Sequence, residues 1–196
     1  MNKITFGKFC LALVILVSGC SRKKDSFINR NWHAITAEYN TLYNGNLALD
    51  QGLEQLETSY FDNYWEILPV ERMQVSEEIV LPGTVKNEFF QVAEVKATKA
   101  IQKHSMPIQG KEKNPQMDEA YLLLGKARYY DQRFIPALEA FNYILYKYPA
   151  SDNIDHARIW REKTNIRLQN NSLAIKNLKK ILEDESLDDD DRADAS

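Results

Sequence analysis

Glycine and proline are scarce, with 7 and 6 residues in a chain of 196. Collagen-like, linker-like and turn-rich all-β chains need far more of both. Long apolar runs are missing as well: Phe9–Val17 falls well short of the ~20 residues that span a bilayer. Neither charge sign dominates, since 25 Lys and Arg face 28 Asp and Glu for a net charge of −3, which gives no global reason to seek nucleic acid. His33, His104 and His156 lie in three separate segments, none with a metal-ligand neighbour at the required spacing, so they read as surface or packing residues. No G-x-S-x-G, Walker loop or G-x-G-x-x-G occurs, and paired acids such as Glu77-Glu78 read as a solvated face. The expectation is a protein with no catalytic residue, metal, cofactor, nucleic-acid partner or small-molecule substrate. What is there is 44% hydrophobic residues, enough for one mostly helical domain with appendages.

The N-terminus reads as a processing signal. Lys3 and Lys8 precede the apolar run, which ends in Leu16-Val17-Ser18-Gly19-Cys20. A basic start, a short apolar core and small residues before a cysteine form the lipobox pattern of bacterial lipoproteins. Residues 1–19 would be a lipoprotein signal peptide, and the Cys20 thiol would take a covalent lipid, the one attached group expected. Removing them deletes two lysines and Cys10, moving the charge from −3 to −5 and leaving no thiol for a disulfide. Two or more acyl chains hold a protein stably on a membrane, at about 0.8 kcal/mol per buried CH₂. Ser21 is not the aspartate that retains lipoproteins in the inner membrane of enteric bacteria. Arg22-Lys23-Lys24 would lie against anionic headgroups. The expected location is the outer membrane, lipid-anchored and facing the periplasm.

Beyond a polar tether (20–31), apolar residues recur at helical spacing over 32–60: Trp32, Ile35, Tyr39, Leu42, Tyr43, Leu47, Leu49, Leu53 and Leu56. Asn44-Gly45-Asn46 predicts a tight turn between two helices there. Residues 61–86 read as an irregular connection broken by Pro69 and Pro82-Gly83. A helix and polar loop follow over 87–117, with Phe89, Val92, Val95 and Ile101 on one face and no sheet.

Residues 118–151 carry a sharper pattern: Tyr121, Leu124, Gly125, then Phe134, Ala137, Phe141, then Pro149. It resembles the tetratricopeptide repeat, a helix–turn–helix unit of 34 residues. Gly125 and Ala137 are small where the helices must touch, Leu124 and Phe141 fill the space between, and Pro149 ends the unit. Arg128 and Ile144 depart from the pattern. A second, weaker repeat spans 152–186, where Ala174, Leu178 and Ile181 copy Ala137, Phe141 and Ile144 after 37 residues, but Glu162 replaces Gly125. Residues 187–196 place acids before helix formers, as a new helix would begin, and suggest the front of a longer repeat protein; a disordered acidic tail is the alternative. The expected fold is all-α, a tetratricopeptide-like helical repeat solenoid behind a signal peptide. A generic helical bundle would use the same periodicities.

First helices of such repeats line a concave groove. Register from Gly125 puts Glu119, Leu122, Lys126, Tyr129 and Tyr130 on that face, with His156, Ile159, Lys163 and Arg167 following in the next unit. This mixed stripe suits an extended acidic or amphipathic protein segment. Alternatively, Leu122 and Ile159 are buried against the preceding repeat.

Five segments together carry a family resemblance: Ser21–Asp25, NRNWHAITAEYNTLYNGNLALDQG (29–52), NYWEILPVERMQVSEEI (63–79), residues 99–152 around DEAYLLLGKARYYDQRFIPALEAFNYILYKYP, and IWREKTNIRLQNNSLAIKNLKKIL (159–182). They closely resemble the N-terminal part of the SprE/PorW family of gliding-motility lipoproteins of Bacteroidetes. The resemblance covers nearly the whole chain from Cys20 onward and implies a longer protein with further repeats. It implies a non-catalytic role in type IX secretion, linking the outer-membrane translocon to the periplasmic ring and motor components. Its only residue to carry over is the lipidated Cys20. A rival resemblance is to the tetratricopeptide lipoprotein of the outer-membrane β-barrel assembly machinery, which shares motifs like Tyr146-Lys147-Tyr148-Pro149. A nutrient-binding surface lipoprotein and a cell-wall enzyme are more distant alternatives.

Overall fold

A computed structural model describes residues 21–65, 67–68, 71–73 and 87–196. The signal peptide, Cys20, Pro69, Glu77-Glu78 and Pro82-Gly83 lie outside the described residues. The described chain is all-α apart from one very short hairpin.

Helix α1 (Phe27–Ala37) passes through a π-turn (Glu38–Leu42) directly into α2 (Tyr43–Ser59). Ser26 starts it: its hydroxyl accepts from the Asn29 amide at 3.3 Å, so part of the expected tether is already helical. Asn44-Gly45-Asn46 makes no turn. Gly45 is inside α2 because a Cβ there would lie 2.6 Å from Leu123 Cδ2; its smallness serves close packing. Helix α3 (Glu88–His104) is capped by Asn87, whose side chain accepts from the Phe89 amide at 2.8 Å, and Lys103 suits its C-terminal dipole.

The expected polar loop holds a hairpin instead. Strand β1 (Pro107–Ile108) pairs antiparallel with β2 (Lys111–Glu112) across a two-residue turn, Gln109-Gly110, both at positive φ. The Glu112 carboxylate ties it down, accepting from the Ser105 hydroxyl and the amides of Met106, Lys113 and Asn114.

Four helices then alternate: α4 (Met117–Tyr130), α5 (Phe134–Lys147), α6 (Ile154–Arg167) and α7 (Asn171–Leu182), followed by the short α8 (Asp189–Ala195). From α2 to α7 each packs chiefly on its sequence neighbours. The α6 and α7 starts follow those of α4 and α5 by 37 residues (117 and 154, 134 and 171). Both inter-helix turns share one geometry. Gln132 and Gln169 take left-handed φ of 61° and 62°, the Arg133 amide donates to the Arg128 carbonyl, and the Asn170 amide donates to the Asn165 carbonyl. This is the Schellman helix stop, used twice. The expected new helix near the C-terminus is α8, where the Asp188 carboxylate accepts from the Asp191 amide at 2.7 Å.

The core of the N-terminal half is built from small residues. Ala37, Ala48, Ala93, Ala97, Ala100, Ala120 and Ala127 pack with Leu42, Leu49, Phe90, Leu123 and Leu124. Glycine seats a phenylalanine twice: a Cβ at Gly52 would meet Phe90 at 2.4 Å, and one at Gly125 would meet Phe141 at 2.4 Å. The apolar residues read as one periodic set divide: Leu42 and Leu49 are buried and Leu53, Leu56 and Ile101 pack on the core, whereas Trp32, Ile35, Tyr39, Tyr43 and Leu47 are exposed, as are Phe89, Val92 and Val95. Alanine lets helices approach closely, and a bulky residue in the same place would force them apart.

Candidate functional site

The face predicted on α4 and α6 forms a basic, aromatic groove. Tyr129 is fully buried, with its ring edge-on to Tyr130 and Trp160 at centroid distances of 5.3 Å. Lys126 and Lys163 place their ammonium groups over the Trp160 ring at 5.0 and 4.7 Å. The guanidinium of Arg167 lies over the Tyr129 ring, and its Nε donates to the Tyr129 hydroxyl at 3.0 Å.

The groove is occupied by the chain's own acidic residues. Glu71 lies in it: Lys163 Nζ donates to Glu71 Oε1 at 2.8 Å, the Tyr130 hydroxyl to Oε2 at 3.3 Å, and Arg167 Nη2 to the Glu71 carbonyl at 2.9 Å. Met73 is buried in the cluster that contains Leu122, Tyr129, Phe141 and Trp160. From the other side, α8 pairs Asp194 with Lys163 and Asp191 with His156. Burial pulls the Lys163 ammonium down in pKa, but its bonds to Asp194 and Glu71 outweigh that and move it up. Lys126 has no such bond, and burial lowers its pKa. Burial likewise raises the Tyr129 and Tyr130 hydroxyls.

Of the nine predicted residues, Lys126, Tyr129, Tyr130, Lys163 and Arg167 converge. His156 lines the far end, beside Lys126, Trp160 and Asp191. Glu119 points toward α2, accepting from Asn46 Nδ2 at 3.2 Å, and burial raises its carboxyl pKa. Leu122 and Ile159 are buried and so do not line the groove, but against elements that follow them and not a preceding repeat: Leu122 joins the cluster with Trp160, and Ile159 the one with Ile181, Leu187 and Ala195. Trp160, the centre of the groove, and Glu71, its occupant, were missed. Trp160 sits one residue after a predicted groove position, and the 61–86 connection carries no periodic signal to flag Glu71.

Of the departures from the repeat pattern, Ile144 is buried in the apolar cluster with Ala137 and Phe141, while Arg128 and, in the second unit, Glu162 have polar partners. Arg128 donates to Glu94 Oε1 at 2.8 Å and to the Pro136 carbonyl at 3.2 Å, and Arg133 also pairs with Glu94. Burial pushes the Glu94 carboxyl up, but bonds from Arg133 and Arg128 bring it below its ordinary pKa. Glu162, at the Gly125 equivalent, is fully buried and accepts from Arg161, Asn165 and Asn177. The close contact doubted from the sequence is thus replaced by a polar one. Two histidines expected apart come together between α1 and α3, with His33 Nδ1 3.2 Å from His104 Nδ1. Among the described residues no group of three or more His, Cys, Asp or Glu could hold a metal ion, and no helix is long and apolar enough to cross a membrane. No protein-family model matches the chain, and no curated protein matches it.

Proposed function

We propose that the chain is an outer-membrane lipoprotein, anchored through Cys20 and facing the periplasm, whose tetratricopeptide-like solenoid is a non-catalytic assembly or coupling subunit of type IX secretion. It supports protein secretion and gliding by joining the translocon to the periplasmic ring and motor components. The observation that carries the reading is the groove: the surface of α4 and α6 holds a short bent segment of the chain, Glu71 to Met73, with the Glu71 carboxylate and carbonyl against Lys163, Tyr130 and Arg167. A surface built to clasp main chain and carboxylate suits a protein partner better than a small substrate. The lipobox and the five family-like segments supply the location and the system.

The test is photo-crosslinking in cells from position 193. Ala193 is exposed and lines the groove end with Lys126 and Trp160, whereas Tyr129 is too buried to report on a partner. Capture of type IX translocon or ring proteins is expected. Capture of β-barrel assembly subunits alone would favour the rival reading. Incorporation of labelled palmitate, abolished by Cys20→Ala, checks the anchor.

A further inference from the structure

We infer that the outer face of α1 and the start of α2 is a membrane-surface binding site, on which the molecule lies against anionic lipid. The inference rests on the lipid-anchor reading for its location and on the structure for its face. Ile28, Trp32, Ile35, Tyr39, Tyr43 and Leu47 form one exposed stripe; Trp32 is 55% exposed and Tyr39 64%. The core line runs elsewhere on the same helix, through Asn29, His33, Ala37, Leu42, Gly45 and Leu49. Steps of four residues drift about 40° each around a regular α-helix. The π-turn at Glu38–Leu42 inserts about one residue and takes most of that drift back. The stripe therefore stays in line from Ile28 to Leu47, roughly 28 Å at 1.5 Å per residue.

Its composition selects the occupant. Tryptophan, tyrosine and isoleucine on one side of a helix fit the headgroup–acyl boundary. Between Phe27 and Leu47 the only charged residues, histidine aside, are Arg30 and Glu38, and Asn31, Asn40 and Asn44 stand exposed nearby. By contrast, α3 carries Lys96, Lys99 and Lys103 along its length. Exposed Arg22, Lys23 and Lys24 precede the stripe and complement anionic headgroups. Cys20 is seven residues before Phe27, at most about 25 Å even if extended, so an acylated Cys20 would bring the stripe to the bilayer. A helix docked in this way lies flat, with the repeats above it.

The test uses the chain from residue 20 onward with Cys20→Ser, which carries neither leader nor lipid. Vesicles are phosphatidylethanolamine with about a quarter phosphatidylglycerol. The protein is expected to float with them. Trp32→Asn, Ile35→Asn and Tyr39→Asn together should cut the bound fraction about tenfold or more, with helix content by circular dichroism unchanged. As a readout that leaves the stripe intact, Trp65→Phe removes another exposed indole, and lipids brominated in their acyl chains should then quench Trp32. Absence of flotation and quenching, or flotation indifferent to the triple variant, overturns the inference. Self-association lost in the triple variant, with no vesicle binding, would show that a second copy covers the face and also overturns it. Palmitate labelling of Cys20 in the full-length chain is scored separately. Labelling without stripe-dependent binding sinks the stripe alone, and stripe-dependent binding without labelling sinks the anchor alone.

Discussion

Gly125 shows how much a missing methyl group decides. In an exposed helix, Gly→Ala would be stabilising by up to ~1 kcal/mol. Here the new Cβ would lie 2.4 Å from Phe141, which is fully buried and cannot retreat. Gly125→Ala is therefore expected to destabilise by about 1–3 kcal/mol in urea unfolding. Adding Phe141→Leu should recover part of the loss, since the two residues share one space. Gly125 was legible in the sequence because a bulky pattern surrounds it. Gly52 and Gly45 do the same work against Phe90 and Leu123 but were not, because the core there is written in alanine. A pattern search keyed to large apolar side chains follows Trp32, Tyr39 and Val95, and these face outward. The His33–His104 contact was also invisible, its partners being 71 residues apart. Burial, and then the nearby charges of His33, Arg22, Lys103 and Lys99, lower the pKa of His104. A folded-state pKa below the unfolded value of ~6.5 means that the unfolded chain binds the proton first. Stability should thus be undiminished by this group above pH ~6.5 and fall as the pH drops below it. The urea midpoint of wild type is expected to decline more steeply from neutral pH toward pH ~5.5 than that of His104→Gln.

At the scale of elements, the two Schellman stops explain why the helix pairs α4–α5 and α6–α7 are more alike in space than in sequence. Gln132 and Gln169 share a left-handed backbone, where glycine is the residue that fits without a steric cost. Their equivalence comes from the backbone bonds around them and not from a shared motif, so only their 37-residue separation hinted at it. Gln169 is exposed and its strain is local. Gln169→Gly should stabilise the fold by about 0.5–1 kcal/mol, the relief of the left-handed strain less the entropy glycine adds to the unfolded chain. A rise in the thermal midpoint measures it, and an unchanged or lower midpoint would mean the turn is not a stop of this kind. The four helices from α4 to α7 were readable from sequence because each has apolar spacing and a polar break. The Gln109-Gly110 hairpin was not, because two-residue strands carry no period and its main fastening, Glu112, bonds to amides that look ordinary in sequence.

At the scale of the molecule, the groove is both assembled and filled by one chain. The sequence revealed most of its cations and aromatics but not its occupant, because charge pairing over 92 residues, as between Lys163 and Glu71, leaves no local trace. That arrangement makes a prediction of definite sign. If partners use this groove, Glu71 and Met73 must leave it first, and the apparent affinity is the intrinsic one reduced by the fraction of molecules already open. Weakening the occupant while sparing the cations should then raise partner capture. Glu71→Gln removes the negative charge facing Lys163, and Met73→Ala removes a buried anchor. The double variant should increase crosslinking from position 193 by roughly 3- to 30-fold, the effect of about 0.7–2 kcal/mol on the opening equilibrium. Faster trypsin cleavage after Arg72 would verify that the segment has been released. Release with unchanged capture would place the partner on another face, and release with reduced capture would make Glu71–Met73 part of the bound surface. Met73→Ala alone separates the two sources of a gain: it removes the buried anchor without altering any groove charge, so capture that rises in this single variant comes from vacancy, whereas a rise confined to Glu71→Gln comes from the uncovered Lys163 charge.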